Sequence, residues 1–331
     1  MRLEEIGEFG LIARLREREA KPREGVVIGI GDDAAALESP KDAFLLLTTD
    51  TLVEDVHFRR GWMPWADLGW KSVVQNVSDI AAMGGEPSFG LVTLALPDDV
   101  QVEDIDAIYE GIDKASTEYG CAVTGGDVVR SPGPMSITIS LLGRVARDRL
   151  MRRSGAQPGD LIVVTGGLGA AAAGLIALDR GLSGPPFALA LAAQRRPHAR
   201  LQEGKALAAS GVVTALIDLS DGLAGDLAHI CEESQVGARV DLASVPVAEA
   251  CHTACEHLGV VDSLQLALTG GEDFELLFTV PPGSAGVAHR ALTAAGGRAF
   301  PIGTITPAEA GIIGVTKEGT TEPLGTGFAH F

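Results

Sequence analysis

The sequence predicts an α/β (α+β) architecture in two domains, and three observations carry that prediction. Short β-branched apolar runs alternate with segments of helical periodicity almost throughout the chain. The 331 residues are 46% hydrophobic, enough for a large core and more naturally for two domains than for one. The 42 glycines fall in short clusters between apolar runs, which suits tight loops joining strands to helices.

Taken in chain order, "MRLEEIGEFGLIARL" places Leu3, Ile6, Phe9 and Ile12 on one face of an amphipathic segment. It lacks the apolar core and cleavage site of a signal peptide, and no apolar stretch is long enough to span a bilayer. "VVIGIGDDAAAL" (26–37) leaves an apolar run, passes Gly29 and Gly31, and sets Asp32 beside Asp33. "AFLLLTTD" (43–50) reads as a buried strand. Residues 66–85 read as a helix, with Leu68, Val73, Val77, Ile80 and Ala81 at helical spacing and a Gly-Gly stop. "SFGLVTLALP" reads as a strand and 101–119 as a helix, while "CAVTGGDVV" and "MSITISLLGRV" read as two strands joined by a Pro/Gly turn. Basic residues and a Pro-Gly turn interrupt this rhythm at "ARDRLMRRSGAQPGD" (146–160). They place a boundary near residue 150, with one domain over 1–150 and another over 151–331. Beyond it come a strand in "DLIVVTG", the segment "GGLGAAAAGL", and a strand-to-helix passage in "VVTALIDLSDGLAGDLAHI". A loop then runs into a strand in "LQLALTGGEDFELLFTV".

Composition excludes some classes of function. A net charge of −18 and an aromatic content of 5% are wrong for nucleic acid, which rewards basic patches and stacking rings. Cys121, Cys231, Cys251 and Cys255 form no disulfide framework, and with no targeting segment the chain reads as cytoplasmic. "CHTACEH" (251–257) lacks zinc-finger spacing and reads as an ordinary helix with Cys251 and Cys255 on one face.

The recurrent feature is acidic. Carboxylates sit at the ends of apolar runs beside Gly, Ser or Thr: Asp32 and Asp33, Asp50 after Thr48-Thr49, and Asp127 after Gly125-Gly126. Asp218 and Asp221 flank Ser220, Glu272 and Asp273 follow Gly270-Gly271, and Asp79 lies within the helical pattern next to Ser78. Capping explains one such residue but not six clusters. Few Lys or Arg stand nearby, so a divalent metal is the economical counter-ion, and oxygen-only ligands suit Mg²⁺. Metal ions would let so acidic a chain hold polyphosphate, with Arg130 and Arg153 as candidate partners for the remaining oxygens. Neither "VTGGDVV" nor "TGGLGAAAAGL" is a Walker A loop.

"GEFGLIARL", "GIGDDAAAL", "TTDTLVEDVHF", "NVSDIAAMGGEP", "GGDVVRSPGPMSITIS", "RSGAQPGD", "IDLSDGLAGDL" and "LTGGEDFELLFTV" together resemble the thiamine-monophosphate kinase family, in the same order and over nearly the whole chain. The parent superfamily is typified by aminoimidazole ribonucleotide synthetase. The resemblance implies two α/β domains, with the N-terminal sheets of two subunits pairing into a barrel-like core of a homodimer and the sites near that interface. It implies ATP-dependent phosphorylation of thiamine monophosphate to thiamine diphosphate, with several Mg²⁺ ions. The metal ligands it implies are Asp33, Thr48, Thr49, Asp50, Asp79, Asp127, Asp218 and Asp221. Nucleotide contacts fall on Tyr109, Gly126, Asp127, Arg153 and Ser220, and substrate contacts on His57, Glu272, Gly325 and Phe328. Gly325 stands where many relatives carry tryptophan, which leaves Phe328 as the available ring. Neighbouring side chains on an extended backbone project oppositely, so Asp33 is the expected ligand and Asp32 the expected loop anchor. An acceptor that is already an ionised phosphate needs no strong base, and none is assigned. The nearest rivals are other enzymes of the superfamily, and a rival of a different class is a non-catalytic nucleotide-binding scaffold or maturation-complex partner. Selenophosphate synthetase is disfavoured because its reactive N-terminal cysteine or selenocysteine is missing, the first cysteine here being Cys121.

Overall fold

A computed structural model describes residues 25–39, 42–259 and 262–328, together with Gly10, Ile12, Ala13 and Arg16. Leu3, Ile6 and Phe9 of the amphipathic segment lie outside the described residues. Six strands of the first half, β1 (Val26–Ile28), β2 (Ala35–Glu38), β3 (Ala43–Val53), β4 (Glu86–Leu96), β5 (Ala122–Arg130) and β6 (Ser136–Ala146), form one sheet. Its order is β1-β2-β3-β6-β4-β5. All its pairings are antiparallel except β4 with β5. The Pro/Gly turn after β5 therefore joins two strands without pairing them, because β4 lies between β5 and β6. Side chains alternate along β3, so Phe44, Leu46, Thr48 and Leu52 are buried while Leu47, Thr49 and Thr51 are exposed.

Helices α1 (Trp65–Ala82) and α2 (Val102–Tyr119) pack on the buried side of this sheet. Leu68, Val73, Val77 and Ile80 supply the apolar stripe of α1, and Ile108, Ile112 and Ala115 that of α2. The two helices approach so closely that a Cβ on Gly69 would sit 2.0 Å from the Ile108 carbonyl oxygen. A Cβ on Gly111 would sit 1.8 Å from that of Ala66, so both positions require glycine. The opposite face of the sheet is open, with Leu47, Phe89 and Leu91 exposed at 44%, 57% and 54%.

The second half builds a seven-stranded sheet from β7 (Leu161–Val164), β8 (Ala215–Asp218), β9 (Val236–Asp241), β10 (Leu276–Val280), β11 (Phe300–Pro307), β12 (Ile312–Val315) and β13 (Thr321–Pro323). The order is β13-β12-β9-β11-β7-β10-β8, which leaves β8 at an edge. Among the described residues, seven helices accompany it: α3 (Ala170–Asp179), α4 (Ala188–Arg195), α5 (Leu201–Ser210), α6 (Leu223–Ser234), α7 (Glu249–Leu258), α8 (Ser263–Thr269) and α9 (Ala285–Ala294). Helix α8 forms where a loop is expected, since Asp262 caps the Leu264 amide and Ala267 and Leu268 bury against the core. Cys251 and Cys255 are buried in an apolar cluster with Ala173, Ala177 and Leu258.

Helix α1 also reaches the second half. Ala82 packs in one cluster with Leu216 and Phe278, and Ser78 bonds Asp218 at the end of β8. No described helix is long and apolar enough to cross a membrane.

Candidate functional site

Four passages of chain bring their carboxylates to one place: the loop after β1, strand β3, the last turns of α1 and the end of β8. Asp33, Asp79 and Asp218 each offer an oxygen, and these atoms all lie within 4.8 Å of one another. Each is held by a hydroxyl or a guanidinium. Thr48 Oγ1 donates to Asp79 Oδ2, and Ser78 Oγ donates to Asp218 Oδ2 at 2.6 Å. Arg153 donates to Asp33 Oδ1 from Nε at 3.2 Å and from Nη2 at 2.7 Å. Asp32 turns away from this group, and its Oδ1 accepts from the amides of Asp33 and Arg153, both at 3.2 Å. The adjacent aspartates thus face different partners, in keeping with their opposite projection.

The electrostatics are unfavourable as they stand. Burial pushes the Asp50 carboxyl up to about 6, and the charge of Asp221 adds to the rise. Burial and then the neighbouring Asp33 push Asp218 up to about 8. Asp79 rises well above the usual carboxylate range through burial, then through Asp50 and Asp218. Asp226, whose Oδ2 accepts the Asp221 amide, is likewise raised by burial and by Asp221. Arg153 alone does not balance so many acids. Asp33 Oδ2 and Asp50 Oδ2 are buried with no hydrogen-bond partner, a costly state for carboxylate oxygens in a protein interior. Partnerless oxygens, an all-oxygen donor set and excess negative charge fit a hard divalent cation such as Mg²⁺.

Beside the carboxylates runs a cleft of about 730 Å³, whose lining includes Asp50, His57, Ser220, Asp221, Glu272 and Phe328. His57 is oriented by its Nδ1, which accepts the Val53 amide at 3.0 Å. Glu272 has φ +69°, its amide donates to the Ser220 carbonyl at 2.8 Å, and its carboxylate meets Lys71 and Gln194. The Phe328 amide donates to the Asp221 carbonyl at 2.9 Å, which docks the chain end on the cleft. Gly325, at φ +97°, lies against Thr269 of the cleft wall.

Other expected site residues stand apart from the buried carboxylate group. Thr49 reaches the cleft lining, but its hydroxyl meets Ser140 Oγ at 3.0 Å and donates to the Ile139 carbonyl at 3.2 Å. The exposed β5 edge carries Gly126 and Asp127. A Cβ on Gly126 would sit 1.8 Å from the Val92 carbonyl oxygen, and Asp127 Oδ1 accepts the Val128 amide at 2.9 Å. From Asp127, register runs through Thr93 and Thr138 to Thr51, three strand spacings or about 14 Å from β3. Tyr109 packs half-buried on the N-terminal core. Arg130 is exposed and paired with Asp98 at 2.8 Å, away from the carboxylates. Residues that the sequence leaves unmarked are Lys71, Gln194 and Asp226. The available signal for Lys71 is its place in an apolar helix stripe, eight residues before Asp79. Asp273, conspicuous in its acidic cluster, accepts the Gly169 amide at 2.7 Å, a partner over a hundred residues away that the sequence does not indicate.

Residues 31–145 match the N-terminal domain of AIR synthase related protein, and residues 157–316 match its C-terminal domain. The thiamine-monophosphate kinase of Escherichia coli K12 is 41% identical over 278 residues, covering 83% of each chain. That of Aquifex aeolicus is 39% identical over 283 residues, covering 85% of this chain and 88% of the relative. A solved structure described as AaThiL complexed with AMPPCP and TMP superposes with a TM-score of 0.87 at 34% identity. It covers 100% of this chain and 99% of its own.

Proposed function

The chain belongs to the thiamine-monophosphate kinase family, and from that premise we propose that it transfers the γ-phosphoryl group of ATP to thiamine monophosphate, giving thiamine diphosphate. One observation carries the placement of that chemistry: a buried carboxylate group with two partnerless oxygens, opening on a cleft of substrate size. Asp33, Asp50, Asp79, Asp218 and Asp221, with the Thr48 hydroxyl, would hold Mg²⁺. When bound, the metal supplies positive charge that lets two phosphate anions approach.

The chain's own residues do the positioning. Arg153 and Ser220 provide polar contacts for the nucleotide phosphates, and Ser78 and Thr48 keep Asp218 and Asp79 aimed at the group. His57, Glu272 and Phe328 face the acceptor across the cleft. No residue serves as base, because the attacking phosphate oxygen is already ionised.

The open apolar face of the first sheet supports a homodimer, since Leu47, Phe89 and Leu91 need cover. Gly126 and Asp127, on the edge strand of that sheet, would take up their nucleotide and metal roles in this assembly. Light scattering at micromolar concentration should give twice the chain mass, and a monomer removes the dimer from the proposal.

The decisive assay is formation of thiamine diphosphate and ADP with Mg²⁺ and ATP. ADP should appear only when thiamine monophosphate is present. Equal ADP release without it would reject the reading and favour another activity of the superfamily.

A further inference from the structure

Lys71 is the largest charged side chain in the interior, with only 1% of it exposed. Its ammonium donates to Gln194 Oε1 at 3.0 Å and to the Gln194 carbonyl at 3.2 Å, and it pairs with Glu272 Oε1 at 2.6 Å. Gln194 Nε2 in turn donates to Glu272 Oε2 at 2.6 Å. Lys71, Gln194 and Glu272 therefore close a ring, drawn from α1, α4 and the loop before β10. The ammonium donates two hydrogen bonds to Gln194 and ion-pairs with Glu272 Oε1, while Glu272 Oε2 accepts from the Gln194 amide.

A buried ion pair contributes little net stability, because desolvation offsets the attraction. What the ring achieves is a carboxylate that cannot swing. The loop carrying it is strained as well, for Glu272 and Phe274 are non-glycine residues at φ +69° and +49°. Glu272 remains 26% exposed and lines the cleft. Each of its oxygens keeps a second lone pair, so two acceptor positions stay open to a donor in the cleft. Apolar walls from Leu175, Ile176, Leu266 and Phe328 line the same cleft. Lys71, Gln75 and Asp79 follow at i, i+4 and i+8 on α1, so one helix face carries both the ring and the acidic group. Eight residues of rise separate them by about 12 Å. That spacing suits an acceptor with a phosphate at one end and a flat ring bearing N–H donors at the other.

We propose that Lys71, together with Gln194, is a positioning residue that fixes the Glu272 carboxylate to accept from the pyrimidine amine of the acceptor. It thereby sets specificity at the end of the cleft remote from phosphoryl transfer. The inference rests on the kinase reading given above.

The test compares thiamine monophosphate with its analogue bearing an oxo group in place of the pyrimidine amine, in wild type, Lys71→Met and Gln194→Met. Wild type should prefer the amine by at least about a hundredfold in kcat/KM, because the oxo analogue leaves the buried acceptor unpaired. In both variants the preference should fall at least tenfold, through KM for the acceptor, with kcat within about threefold and KM for ATP unchanged. A purely structural lysine would lower the melting temperature and leave the preference intact, and that result overturns the proposal. Gln194→Met gives the same readout if Lys71→Met does not fold. Failure of wild type to phosphorylate thiamine monophosphate at all would instead reject the activity, a separately visible result.

Discussion

Asp32 and Asp33 are neighbours in unlike surroundings. Asp33 Oδ2 is buried and partnerless inside the acidic group, whereas Asp32 Oδ1 bridges two backbone amides. Asp33→Asn should therefore raise the Mg²⁺ concentration for half-maximal rate at least tenfold, an effect of about 1.4 kcal/mol. Asp32→Asn keeps an amide-accepting oxygen and should shift it less than threefold. Equal shifts in a Mg²⁺ titration of the rate would remove the distinction. Gly325 shows where the structure changes a residue-level expectation. On the resemblance alone, Gly325→Trp should rebuild an aromatic wall and lower KM for thiamine monophosphate. At φ +97°, with a Cβ 3.1 Å from Thr269 Cγ2, the substitution is strained whatever its ring could contact. The expected outcome is a melting temperature lower by several degrees and no gain in KM.

Within single elements, period decides role. Strand β3 carries Thr48 and Thr49 in succession, and its two-residue repeat sends them to opposite faces. Thr48 bonds Asp79, while Thr49 bonds Ser140 on the neighbouring strand β6. Thr48→Val should cut turnover at least tenfold at limiting Mg²⁺, since Asp79 loses its hydroxyl partner. Thr49→Val, which keeps the branched strand-forming shape, should stay within about threefold of wild type. Similar losses in both would contradict this division of the strand. Helix α1 uses its own period in the same way, burying Val73, Val77 and Ile80 on one face while Lys71 and Ser78 reach Gln194 and Asp218 of the second half and Asp79 meets Thr48 of β3.

The whole molecule holds more buried acid than its described cations offset, and this couples stability to pH. Asp50 rises to about 6, Asp218 to about 8 and Asp79 well above the usual range, so the metal-free fold binds these protons more tightly than the unfolded chain does. Their stabilising contribution is complete below the ordinary carboxylate range and is lost as pH rises through about 6 to 8. In EDTA the melting temperature should fall by several degrees between pH 5 and pH 8.5, both figures being rough bounds on that window. Excess Mg²⁺ should flatten or reverse the fall, because a cation that binds only the folded state stabilises it by mass action. A melting temperature independent of pH in EDTA would show that the carboxylates are already balanced.

Much of this was written in the sequence. Periodicity placed β3, α1, β4 and α2, because each buries an apolar face whose repeat is local. Carboxylates beside Gly, Ser or Thr marked Asp33, Asp50, Asp79, Asp218 and Asp221, because acids at the ends of apolar runs are conspicuous before any folding. What the sequence left undetermined were relations between distant segments. That β6 enters between β3 and β4, that Asp127 lies on an exposed edge, and that Lys71 closes a ring with Gln194 and Glu272 all depend on long-range packing. A lysine in an apolar helix carries no mark of its partner. Only the tertiary fold brings a carboxylate from 201 residues away within 2.6 Å of it, and burial then holds that contact in one geometry.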